Sequence, residues 1–192
     1  MIVLVLLGPP GSGKGTQAAK LADYLGAVHI STGEILRQEI KDATDLGHQA
    51  AAYMENGQLV PSSLMINFVA ERLSEPDCQV GCLLDGFPRS VDQAQALDQQ
   101  LGAQGAKLEL VLSLSVPREE LERRMLERSR KEGRSDDTPA TISKRFDVYQ
   151  TTTEPLISYY QEKGLLHSID GMGSPDEVFR QIKAAVDQFR NV

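Results

Sequence analysis

The sequence predicts an α/β protein, a single parallel sheet of five strands with helices on both faces. Three observations carry this. Short apolar runs recur at residues 2–7, 28–30, 82–84, 108–116 and 165–169, and several lack a period of two, as expected of strands covered on both sides. Helical patterns lie between them. Strand and helix alternate from one end to the other, the signature of crossover connections in a parallel sheet.

The elements follow in order. After the first strand, Ala18, Leu21, Ala22 and Leu25 form an i, i+3, i+4, i+7 stripe, and Gly26 supplies a stop. Residues 31–74, between the second and third runs, hold too many helical patterns for one crossover and predict an inserted lobe. Residues 127–138, "ERSRKEGRSDDT", read as a charged loop without apolar period, linking a helix that starts near Pro117 to one that starts near Pro139. At the far end Ser174, Pro175 and Glu177 form a capping box ahead of a stripe at Val178, Ile182, Ala185, Val186 and Phe189.

The chain has 192 residues, 41% hydrophobic and 24% charged, enough for one full core, so residues 1–192 are read as one domain. With 27 acidic against 20 basic residues the net charge is −7. No overall field favours a nucleic acid backbone or an anionic membrane, and an anionic ligand must be gripped by a local cluster of donors. The first apolar run has no basic flank and no cleavage site and is too short to span a bilayer, which predicts a cytoplasmic protein. Cys78 and Cys82 have no further Cys or close His pair to complete a tetrahedral site and are read as buried or inert thiols.

Gly8, Gly13 and Lys14 in "GPPGSGKGTQ" match G-x-x-x-x-G-K, with a buried strand entering and an amphipathic helix leaving. In that setting glycines turn backbone N–H groups toward phosphate oxygens at the positive end of a helix, and Lys14 reaches the outer phosphates. The residue after Lys14 is Gly15, so the hydroxyl that usually meets magnesium is displaced to Thr16. Phosphates and waters would then hold the ion, with Asp85 at the end of the third strand orienting its shell; an Asp there also serves as a turn former. There is no Asn-Lys-x-Asp guanine reader. Arginines instead abound: Arg37, Arg89, Arg124, Arg128, Arg134 and Arg145 could surround phosphates, and Arg124 and Arg128 share a helix face. Phosphoryl transfer needs such a cluster to align two anions and spread the moving charge.

Six segments in order, "GPPGSGKGTQ", "HISTGEILR", "NGQLVP", "LLDGFPRSVDQ", "RSDD" followed by Arg145, and "GSPDEVF", resemble adenylate kinase over nearly the whole length. The resemblance implies the P-loop NTPase fold, with a monophosphate-binding lobe at 31–60 and a short lid at about 127–137. It implies reversible phosphoryl transfer from Mg-ATP to AMP, giving two ADP, and a role in adenine nucleotide homeostasis. Carried over, Gly11, Ser12, Gly13, Lys14, Gly15 and Thr16 would cradle the ATP phosphates, Gly173 would lie by the adenine, and Arg124 would stack on it while Arg128 contacts phosphate. On the acceptor side Thr32, Gln58, Leu59, Val60, Gly86, Phe87, Pro88, Arg89 and Gln93 would hold AMP, with Arg37 and Arg89 on its phosphate. Arg134 and Arg145 would close on the transferring group.

Other readings stay open at single residues. Ser31 and Glu34 could form a capping box that makes Thr32 only a helix start, and Gln93 could be a surface residue. Thr32 and Gln93 point to AMP over the pyrimidine monophosphates; a UMP/CMP kinase of the same fold and a non-catalytic nucleotide-binding protein are the alternatives. The short, cysteine-free lid departs from the long-lid form, so no structural zinc is expected. No partner surface stands out, which leaves a monomer as the default.

Overall fold

The computed structural model describes residues 2–132 and 137–190. Among them, five parallel strands form one sheet in the order β2-β3-β1-β4-β5: β1 Ile2–Leu7, β2 Val28–Ser31, β3 Gly81–Asp85, β4 Leu108–Ser115 and β5 Leu166–Asp170. Each predicted run is a strand, and the ends differ by one or two residues. The missing period of two in β1 has a direct cause. Val3, Val5 and Leu7 face one core, Leu4 and Leu6 the other, so every position must be apolar. β5 lies at the sheet edge, where His167 and Ser168 remain exposed.

Helix α1 (Lys14–Leu25) and helix α9 (Pro175–Arg190) cover the Leu4 face. Gly26 ends α1 in the left-handed conformation at φ 63°, and the Ser174–Glu177 capping box forms, with the Ser174 N–H donating to Glu177 Oε2 at 2.8 Å. The insertion between β2 and β3 contains α2 (Thr32–Lys41), α3 (Asp45–Glu55) and α4 (Ser62–Leu73), followed by a 3-10 turn at Pro76–Val80. These pack on the Val3 face with α5 (Val91–Ala103) and α8 (Pro155–Glu162). The capping box proposed for Ser31 and Glu34 is absent. Ser31 makes no side-chain cap bond; it is still the last residue of β2, in register with Asp85, so the strand sets its direction.

Two further helices, α6 (Arg118–Glu132) and α7 (Pro139–Val148), share a small core of their own: Val116, Leu121, Met125, Ile142 and Phe146. The charged segment read as loop from residue 127 is helical through Glu132. Its apolar period is missing because that part of α6 is solvated. An Arg123–Glu127 pair at 2.6 Å and the basic residues Arg130 and Lys131 in the last turn support it instead. Residues 133–136 of the segment read as a lid lie outside the described residues, and Arg134 with them.

Candidate active site

All the strands end toward one side, and the loops leaving them build the site, as expected of an open parallel sheet. Leaving β1, the loop from Gly8 turns into α1 through Gly13, whose φ of 93° is a conformation that side-chain-bearing residues seldom adopt. Lys14 folds back inside this loop, its ammonium donating to Gly8 O at 2.7 Å and Pro9 O at 3.0 Å. Loss of water around the ammonium, reinforced by Arg89, Arg145 and Arg128, outweighs the pull of Asp85 and pushes its pKa down from 10.5 to about 8.

Asp85 ends β3, buried, with Oδ2 3.7 Å from His29 Nε2. Burial works against its charge, yet His29, Lys14 and Arg89 together hold its carboxyl below the usual carboxylate range. An ionised carboxylate beside the phosphate loop fits the orientation of a hydrated magnesium ion; a Cβ placed on Gly15 would lie 3.7 Å from that same oxygen. Thr16 is exposed on the first turn of α1. Among the described residues there is no cluster of three His, Cys, Asp or Glu that could hold a metal.

Two cavities meet here. One, of about 600 Å³, is lined by Gly11, Gly13, Lys14, Gly15, Thr16, Asp85, Arg124 and Arg128. A narrower one, of about 90 Å³, is lined by Thr32, Gln58, Leu59, Val60, Phe87 and Gln93. Arg37, Gly86, Arg89 and Arg145 line both. Pro88 borders a small recess between them, and Ser12 is buried under the loop. Gly173 lines neither cavity; it sits in the turn before α9, two residues beyond Gly171, whose carbonyl accepts from Arg124 Nη2 at 3.0 Å.

Around the narrow cavity Thr32 donates to Asp85 O at 3.3 Å. Gln93 is 3% exposed and therefore no surface residue: its Oε1 accepts from the Arg89 N–H at 2.8 Å and its Nε2 donates to Ser62 Oγ at 3.2 Å. Arg89 Nε donates to Gly86 O at 2.8 Å.

Sequence reasoning passed over two acidic residues that hold the arginines. Asp137, last residue of the "RSDD" segment, is buried between two of them: Arg128 Nε reaches its Oδ2 at 2.7 Å and Arg145 Nη1 its Oδ1 at 2.5 Å. Glu120, one turn before Arg124, accepts from it at 2.7 Å, and Arg123 followed by Arg124 holds its pKa down at about 2. The spacing Glu120–Arg124 was the available signal. Nothing local marks Asp137, because its partners are brought from two different helices.

The sequence model of the adenylate kinase family matches residues 6–165. The chain belongs to the adenylate kinase family. Among its relatives, the adenylate kinase of Thermus thermophilus is 46% identical over 183 residues, covering 95% of this chain and 96% of the relative. That of a Cyanothece species is 47% identical over 190 residues, covering 99% and 97%. That of Micrococcus luteus is 45% identical over 191 residues, covering 100% and 93%. The chain is thus an enzyme of the nucleoside monophosphate kinase type, and the parallel sheet with its phosphate loop is the fold of the family. No helix among the described residues is long and apolar enough to cross a membrane.

Proposed function

We propose that the protein transfers the terminal phosphoryl group of Mg-ATP reversibly to AMP, giving two ADP. The observation that carries this is the meeting of the two cavities at Arg37, Arg89 and Arg145, which line both. ATP would lie along the phosphate loop with Lys14 at its outer phosphates and Arg124 and Arg128 alongside. AMP would occupy the cavity of Thr32, Gln58–Val60 and Gln93. An oxygen of the AMP phosphate forms the new bond to the γ-phosphorus as the bond to the β–γ bridging oxygen breaks.

AMP already presents an anionic oxygen, so no general base and no covalent enzyme intermediate is needed. Catalysis rests on alignment and on guanidinium and ammonium groups placed where charge develops. Asp85, through water, would orient the magnesium ion, which supplies neutralisation of the phosphate charge. Residues 31–60 and about 127–137 would act as closing lobes that exclude water, the competing acceptor.

The test is a coupled assay of ADP formation from ATP with AMP, CMP or UMP. AMP should be the best acceptor; faster turnover of CMP would move the assignment to the pyrimidine kinases, and no ADP at all would refute it. Arg89→Ala should remove about 3 to 5 kcal/mol of transition-state stabilisation. Two adenosines joined by five phosphates should bind tightly, since only a cleft for two nucleotides holds both ends.

A further inference from the structure

The helical run that carries Arg145 does not stop with α7. It continues through a wide, π-type turn at Tyr149–Thr153 into α8, so one rod spans residues 139–162. Pro155 explains the irregular turn. It has no N–H to offer Thr151 O, and its ring crowds that carbonyl. The Glu154 N–H reaches back five residues to Tyr149 O at 2.8 Å, while the Thr151 hydroxyl donates to Asp147 O at 2.9 Å. A residue accommodated in this way rotates all that follows by about 100° relative to an unbroken helix.

Thr153 is the last residue of this wide turn. Its side chain is buried, and its hydroxyl donates to the carbonyl of Arg89 at 2.9 Å, across 64 residues of sequence. The Arg89 backbone is thereby held from both sides, by Gln93 at its N–H and by Thr153 at its carbonyl. The same rod meets the inserted lobe higher up. Gly57 comes so close that a methyl group there would stand 3.1 Å from Thr141 O and 3.2 Å from Arg145 Cγ.

We propose that Thr153 is a positioning residue for the acceptor nucleotide, fixing the Arg89 backbone to the helical run that carries Arg145 so that both guanidiniums stand where the two cavities meet. The proposal rests on the reading of the narrow cavity as the AMP site. Thr153 also lines the narrow cavity, but its hydroxyl is committed to the Arg89 carbonyl, so it acts through Arg89 and does not take part in the chemistry itself.

Thr153→Val keeps the shape and leaves a buried carbonyl without its donor; Thr153→Ser keeps the hydroxyl. AMP affinity is measured by calorimetry, and KM for AMP and for ATP by the coupled assay. The Val variant should bind AMP about tenfold more weakly, with a parallel rise in KM for AMP and a KM for ATP within about twofold of the parent; the Ser variant should match the parent. AMP binding by Thr153→Val equal to the parent overturns the proposal. So does equal weakening of both substrates without rescue by Ser, which is what a purely structural role would produce. A parent that binds AMP but makes no ADP sinks the proposed reaction, while the calorimetric comparison still decides Thr153; a parent that binds no AMP overturns both.

Discussion

Lys14 is held in the cleft in a state that costs stability, and replacing it by Met makes that cost measurable. Its pKa is pushed down from the ordinary 10.5 to about 8 in the folded chain, so keeping the ammonium charged at neutral pH costs about 3 kcal/mol. Below pH 8 the lysine is protonated in folded and unfolded chains alike, and the full cost stands. Between 8 and 10.5 the unfolded chain holds a proton that the folded one has released, so stability rises with pH across that window. From pH 7.5 to 9.5 the gain is about 2 kcal/mol.

Denaturant unfolding of the parent and of Lys14→Met at a series of pH values isolates this gain. The fixed loss of the bonds to Gly8 O and Pro9 O shifts the two curves by a constant, and other titrating groups cancel in the difference. Parent stability relative to the variant should climb by about 2 kcal/mol over the interval. Phosphates at the loop should return the proton, so binding of a non-hydrolysable ATP analogue at pH 9 should take up close to one proton more in the parent than in the variant. The parent's kcat/KM for ATP should decline above pH 8, since that parameter reports the free enzyme. Two stability curves that run parallel from pH 7.5 to 9.5 would refute the reasoning.

Asp137→Asn should leave Arg128 and Arg145 facing one another without the charge that now separates them; kcat should fall more than about tenfold, and a parent-like kcat would show that their placement is held some other way. Thr32→Ala and Gln93→Asn should each lower the preference for AMP over CMP, measured as a ratio of kcat/KM; an unchanged ratio would remove both from the discrimination of bases. The buried thiols should resist Ellman's reagent at pH 8 until the chain is unfolded, because burial raises the pKa of Cys78 and pushes that of Cys82 up to about 12. Rapid labelling of the native protein would contradict that burial.

What the sequence determined by itself was local. The strands of the sheet, the Gly26 stop, the Ser174–Glu177 cap and the glycine turn before Lys14 each depend on residues a few positions apart, so their spacing writes them into the chain. The arginine cluster was legible as composition, and Arg124 and Arg128 as neighbours on one helix face. Gln93 was less so: a glutamine on a polar face carries no sign of burial until Arg89 N–H and Ser62 close on it. The Ser31 cap and the loop from residue 127 went the other way. Each had the right residues for one structure, and strand pairing or ion pairs along the helix decided for another. Only the tertiary structure could bring Asp137 between Arg128 and Arg145, set Thr153 on the carbonyl of Arg89, and join two cavities at shared arginines. The physical reason is common to all three: a buried charge or carbonyl takes whatever partner the packing of distant helices delivers, and no local spacing records which one that is.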